Sequence, residues 1–175
     1  MKNKGFILAF SLAVALIIAF LLFSREDSVT KTATAGKLAP QFEMTDLQGR
    51  KVTLNDFRGK VVLVNFWATW CDTCKEESPL LQKLVNDQKG SSELAVIKIL
   101  FRDSRKNAEL YMKENKFTFT VLIDDKNAAL DYGVTGVPET FMISKKGILK
   151  HKYIGPVRWD MPEARAVVSR MIAED

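Results

Sequence analysis

Cysteine and histidine are scarce in this chain of 175 residues, which holds two cysteines, Cys71 and Cys74, and one histidine, His151. A structural zinc site wants four ligands drawn mostly from those residue types, so the scarcity argues against a bound metal. A covalent haem site is excluded as well, because it needs a histidine directly after the second cysteine and Lys75 stands there. No run of arginine and lysine interleaved with aromatics accompanies the net charge of +5, so no nucleic-acid surface is expected. Internal repeats and low-complexity tracts are missing too. With 47% hydrophobic and 27% charged residues, the composition is that of a globular domain with no bound cofactor expected.

Charge is absent altogether from Gly5 to Phe23, "GFILAFSLAVALIIAFLLF", which follows Lys2 and Lys4. A helix of that length, at about 1.5 Å per residue, nearly matches a hydrocarbon core of roughly 30 Å. Secretory signals have shorter apolar cores with a small-residue cleavage site close behind. The "ATA" at Ala33 to Ala35 lies far downstream, across Arg25, Glu26, Asp27 and Lys31, so residues 1–24 are read as a retained membrane anchor in preference to a cleaved signal. The lysines ahead of the span keep the N-terminus cytoplasmic and put everything after Ser24 on the extracytoplasmic, periplasmic side. Disulfides persist in such a compartment.

Residues 25–37 are polar and small, as a linker would be. The domain is expected over 38–175. The nearly continuous apolar run Val61 to Phe66 reads as a central strand buried on both faces, and Leu94 to Leu100 as another. A helix is expected from about Asp72 to Lys89, stopped by Gly90, and a second from Ser104 to Asn115. Phe117 to Ile123 reads as strand, and Thr140 to Ile143 with Ile148 to Ile154 as a hairpin. The last helix is expected to start on a capping box at Asp160 and Glu163, with Ala164, Val167, Val168, Met171 and Ile172 inward. The fold class is therefore α/β, a mixed sheet flanked by helices.

The two cysteines sit in "WCDTCKEESP", Trp70 to Pro79, at the start of the first helix. A purely structural disulfide there closes so short a loop that it restrains little unfolded-chain entropy. A redox pair has a mechanism: the unpaired N–H groups and dipole at the helix start favour a thiolate at Cys71, and Cys74, one turn on, can resolve a mixed disulfide. Asp72 opposes thiolate formation and so favours a reductant. At about 100° per residue, Glu77 lies about 60° around the helix from Cys74 and Glu76 about 160°, which makes Glu77 the better proton acceptor. Pro79 removes a helical hydrogen bond and should bend the helix.

"VVLVNFWATWCDTCKEESP", together with "YGVTGVPETFMI" and "APQFEMTDLQGRKVTLNDFRGK", resembles the thioredoxin superfamily. Within it, the chain is similar to the membrane-anchored, extracytoplasmic thiol-disulfide oxidoreductases of cytochrome c maturation. The resemblance implies a thioredoxin-like fold with an N-terminal hairpin extension, Cys71 as the attacking thiol and Cys74 as the resolving one. It implies a cis Val137-Pro138 peptide facing the pair, with the Val137 backbone open to an extended substrate segment. It also supports Glu77, and marks Glu139 as either a shaper of the substrate groove or a solvated loop carboxylate. Trp70 is expected to border that groove and Trp67 to pack in the core.

Two departures stand out: Asn65 occupies the place of the buried aspartate of many cytosolic thioredoxins, and Thr73 replaces the common proline, tuning the redox potential in an unassigned direction. The expected substrate is apocytochrome c, through the disulfide of its C-x-x-C-H motif, with a membrane thiol-disulfide transporter as electron donor. A general extracytoplasmic disulfide reductase is the enzymatic alternative, and a tethered binding or chaperone module with a structural disulfide the non-enzymatic one. A peroxidase is disfavoured, since "FWATWC" does not match the threonine-containing peroxide pocket of those relatives.

Overall fold

The chain is described by a computed structural model over residues 33–88 and 92–174. Its first elements form a hairpin, β1 (Glu43–Asp46) and β2 (Lys51–Thr53), paired antiparallel. Asp46 holds the turn by accepting from the Gln48 and Arg50 amides at 2.9 and 2.8 Å, and Gly49 supplies the positive φ of 80° that the turn requires. The other strands are β3 (Val61–Trp67), β4 (Leu94–Leu100), β5 (Thr120–Ile123), β6 (Glu139–Ile143) and β7 (Leu149–Ile154). They form one seven-stranded sheet in the order β2-β1-β5-β4-β3-β6-β7. β3 runs parallel to β4, and β4 to β5, while β6 and the hairpin add antiparallel. The sheet is therefore mixed, as its sequence pattern predicts.

All seven residues of β3 are buried, because helices and loops cover both faces of the central strand. One face packs Phe66, Ile97, Ile99, Leu122, Tyr132 and Phe141. The other packs Leu63, Leu81, Leu84, Trp159, Val168 and Met171. Edge strand β7 carries Lys150, His151 and Lys152, which are exposed, and such charge blunts pairing with another chain. His151 is thus a surface residue.

Helix α1 (Asp72–Asp87) continues unbroken through Pro79, and α2 (Arg105–Glu114) starts on a Ser104 side chain that accepts from the Asn107 amide. A short α3 (Ala128–Asp131) has no signature in the apolar periodicity; Asp124 anchors it by accepting from the Ala128 and Ala129 amides at 2.7 and 2.9 Å. The final helix, α4 (Pro162–Ala173), corrects the expected capping box. Its N-cap is Met161 without a side-chain cap, because the Asp160 carboxylate is engaged by the Arg158 guanidinium instead. Strand character begins only at Thr120, since Phe117 packs its ring between those of Tyr111 and Phe119.

The segment expected as linker to Lys37 is already engaged at Ala33, whose amide donates to the Asp131 carbonyl, and Gly36 donates to Leu149. Among the described residues no helix is long and apolar enough to cross a membrane. The expected anchor Gly5 to Phe23, the rest of the linker and the stop signal Gly90 lie outside those residues.

Candidate redox site at the start of the first long helix

Strand β3 delivers the chain through Ala68, Thr69 and Trp70 to Cys71, which is the N-cap of α1. Its sulfur accepts from the Cys74 amide at 3.2 Å, so an orphan donor of the helix start points at the atom that would carry negative charge. The Thr73 hydroxyl lies 3.5 Å from the same sulfur and can donate to it, which gives Thr73 a direction: it favours the thiolate. Cys71 and Cys74 are joined as a disulfide with Cα atoms 5.2 Å apart. Cys71 is 7% exposed and Cys74 is fully buried, so an incoming sulfur can reach only Cys71.

Asp72 projects into solvent and pairs with Lys75 at 3.1 Å. Its field at Cys71 is therefore weaker than the sequence suggests, since exposed charges are screened and this one is partly neutralised.

Facing the pair, the Val137-Pro138 peptide is cis, as the resemblance implies, and the Val137 carbonyl lies 3.5 Å from the Cys71 sulfur. Glu139 corrects one of its two readings, because it is buried in β6 and no solvated loop carboxylate. One oxygen accepts from the Thr135 amide and hydroxyl and the Gly136 amide, at 2.9, 3.0 and 3.3 Å. The other meets Lys152 at 2.9 Å. Burial would raise its pKa, but the Thr135 amide, Lys152 and the Thr135 hydroxyl outweigh burial and hold it below the usual carboxylate range. Glu139 thus clamps the loop ahead of the cis bond.

Trp70 is 57% exposed beside Cys71, and its indole N–H donates to the Arg102 carbonyl at 3.2 Å. Arg102 holds a φ of 49° and lines a cavity of about 350 Å³ with Phe101, Leu130 and Val134. Thr69 is fixed from the same side, its amide and hydroxyl donating to one Asp103 oxygen at 2.7 and 2.6 Å. Trp67 packs fully buried in the cluster that also holds both cysteines.

Behind Cys74 lies a buried polar network. Glu77 is 1% exposed and accepts from the Val157 amide at 3.0 Å, the Trp159 indole at 2.9 Å and the Asn65 amide group at 3.0 Å. Burial raises its pKa above the ordinary value, against the opposing pull of those donors and of Lys98. Glu76, as its helical angle predicts, is exposed. A cavity of about 340 Å³ is lined by Glu76, Glu77, Leu80, Pro156, Val157 and Arg158.

Lys98, Ser78, Thr140 and Asp103 escape the sequence reading. Lys98 sits mid-strand in an apolar run, and only its register opposite Asn65 brings it to the site. Asp103 could have been noticed as the acid directly ahead of the Ser104 cap.

Residues 35–152 match the AhpC/TSA family. The thiol:disulfide interchange protein DsbE of Pseudomonas aeruginosa is 35% identical over 161 residues, covering 88% of this chain and 87% of its own. The thiol-disulfide oxidoreductase ResA of Geobacillus thermodenitrificans is 39% identical over 123 residues, covering 69% of this chain and 70% of its own. A solved thioredoxin-family thiol:disulfide interchange protein of Chlorobium tepidum superposes with a TM-score of 0.71 at 22% identity, over 81% of this chain and 99% of that one, and so shares the thioredoxin-like fold.

Proposed function

Since the chain belongs to the AhpC/TSA family and is a thiol-disulfide oxidoreductase of the DsbE and ResA type, we propose that it is a membrane-tethered extracytoplasmic reductant of the C-x-x-C-H disulfide in apocytochrome c. The observation that carries the catalytic part is the sulfur of Cys71, capped by the Cys74 amide at 3.2 Å and facing the Val137 carbonyl at 3.5 Å. The charge-free segment Gly5 to Phe23 supports the tether, and the DsbE and ResA relatives support a place in cytochrome c maturation.

In the reductive direction the Cys71 thiolate attacks one sulfur of the substrate disulfide, and the other leaves as a thiolate that is protonated from solvent. An extended substrate segment laid along Val137 brings its sulfur to Cys71 as an added strand would. Glu77 takes the proton of Cys74. The new thiolate attacks Cys71, forms the disulfide and expels the second substrate thiolate. Glu77 returns its proton through the cavity that it lines. A membrane thiol-disulfide transporter then supplies two electrons to regenerate the dithiol.

The test is capture. In cells carrying the full chain with Cys74→Ser, the substrate is expected to remain joined to Cys71 and to be identified by non-reducing electrophoresis and mass spectrometry as apocytochrome c. Adducts with other extracytoplasmic proteins only would replace that substrate by a broader set. Failure of a membrane-impermeant maleimide to label reduced Cys71 in spheroplasts would overturn the location.

A further inference from the structure

Gly133 and Glu139 bound the loop that carries the cis Val137-Pro138 peptide, and one side chain from outside the loop holds both ends. The Lys152 ammonium, on edge strand β7, donates to the Gly133 carbonyl at 2.9 Å and lies 2.9 Å from Oε2 of Glu139. That oxygen is buried and has no other partner among the described residues. The register sets Lys152 opposite Phe141, so it reaches Glu139 diagonally, over a ring whose centre is 5.1 Å from the ammonium. The Lys152 side chain is 30% exposed and that of Glu139 only 1%, so a surface cation balances a carboxylate inside the sheet.

Each oxygen of Glu139 has a separate task. Oε1 accepts from the Thr135 amide and hydroxyl and from the Gly136 amide, inside the loop. Oε2 is balanced by Lys152 alone. Removing one partner of a desolvated ion pair leaves an uncompensated charge. The Glu139 carboxyl then gains a proton or admits water, and either way it grips the Thr135 and Gly136 amides less firmly. Those two residues directly precede Val137, whose carbonyl stands 3.5 Å from the Cys71 sulfur.

We propose that Lys152 is a positioning residue that fits the site to polypeptide disulfides: by closing the 133–139 loop it fixes the Val137 backbone where an extended substrate segment pairs with it. The proposal rests on the reading of Val137 as that pairing edge. Cys71 itself is set from elsewhere, by the start of α1 and by Thr69, which Asp103 holds. Loss of the Lys152 contact therefore weakens capture of a peptide backbone and spares attack on a small disulfide, which has no backbone to pair. The Gly155 amide still donates to the Pro138 carbonyl at 2.9 Å, so the loop is loosened and not released.

The experiment follows oxidation of the pre-reduced full chain, by tryptophan fluorescence, over a range of disulfide concentrations. One substrate is a synthetic disulfide peptide containing C-x-x-C-H, used unmodified and with N-methyl groups at the residues flanking its first cysteine, which remove the donors a paired strand needs. The other is hydroxyethyl disulfide. Lys152→Met keeps the stem over Phe141 without the charge, Lys152→Gln keeps a donor for Gly133, and Lys152→Arg keeps the charge. The first two are expected to raise the half-saturating concentration of the unmodified peptide about tenfold, the worth of one backbone hydrogen bond. The limiting rate and the reaction with hydroxyethyl disulfide are expected to stay nearly unchanged, the penalty for N-methylation to shrink, and Lys152→Arg to restore wild-type saturation.

Unchanged saturation in Lys152→Met and Lys152→Gln overturns the role of Lys152, while a penalty for N-methylation in the wild type leaves the pairing edge standing. Equal losses on both substrates mean that Lys152 acts on Cys71 itself, and overturn the proposal. Failure of both uncharged variants to fold makes the residue structural and overturns it as well. A wild type indifferent to N-methylation removes strand pairing along Val137 and this proposal with it, whereas the identity of the cellular substrate is decided separately by capture on Cys74→Ser.

Discussion

Replacing Cys71 with serine is expected to reduce disulfide interchange to background while leaving the fold intact. A serine hydroxyl at the same helix start accepts the Cys74 amide as an ordinary N-cap, so α1 keeps its cap. It does not ionise near neutral pH and cannot form the mixed disulfide, so the first bond of the cycle is never made. Cys74→Ser behaves differently, because the buried Cys74 enters only at the second step. It is expected to consume one equivalent of substrate and stall as an adduct. The check is insulin-disulfide reduction under turnover beside a single-turnover gel. Turnover retained by Cys71→Ser would mean that Cys74 can be reached from solvent, against its complete burial.

Glu77→Gln carries the second-largest effect, and on one step. Loss of a positioned proton acceptor typically costs on the order of 10²- to 10⁴-fold. That loss is expected in the resolution of the mixed disulfide, with formation of the adduct at Cys71 nearly unchanged. The pH dependence has a definite sign: burial raises the Glu77 pKa, so the wild-type resolving rate is low where the carboxyl is protonated and climbs with pH as it ionises. In Glu77→Gln that limb is expected to vanish and leave only the ionisation of Cys74 itself. Stopped-flow resolution between acid and alkaline pH checks it. A limb identical to wild type would assign Glu77 to holding Val157 and Trp159 against α1 and nothing more.

The site was legible where the chemistry lies close together along the chain. Cys71, Cys74 and Glu77 fall on one helix, and the 3.6-residue repeat alone separates buried Glu77 from exposed Glu76. The central strands were legible too, because burial on both faces writes itself as unbroken apolar runs in Val61 to Phe66 and Leu94 to Leu100. What stayed hidden depends on register between distant strands. Lys98 looks like a polar interruption of an apolar strand until β4 pairs with β3 and sets it opposite Asn65. Glu139 is ambiguous until Lys152, across the β6–β7 hairpin, meets its carboxylate. The failed capping box has the same cause at short range: Asp160 satisfied Arg158 before it could satisfy the helix. Helix α3 was missed because its start depends on Asp124 accepting two amides, a contact without apolar periodicity.

The reducing direction of the pair is the central claim, and its most direct test is the equilibrium reduction potential of Cys71–Cys74 in the full chain, measured against glutathione or dithiothreitol buffers. The structure holds groups pulling both ways: the Cys74 amide and the Thr73 hydroxyl favour the thiolate, whereas Asp72 opposes it. A reductant of extracytoplasmic disulfides is expected to sit near the thioredoxin end of the scale, at about −270 mV. A value near that of the strong oxidant DsbA, at about −120 mV, would contradict the account and make the chain a donor of disulfides.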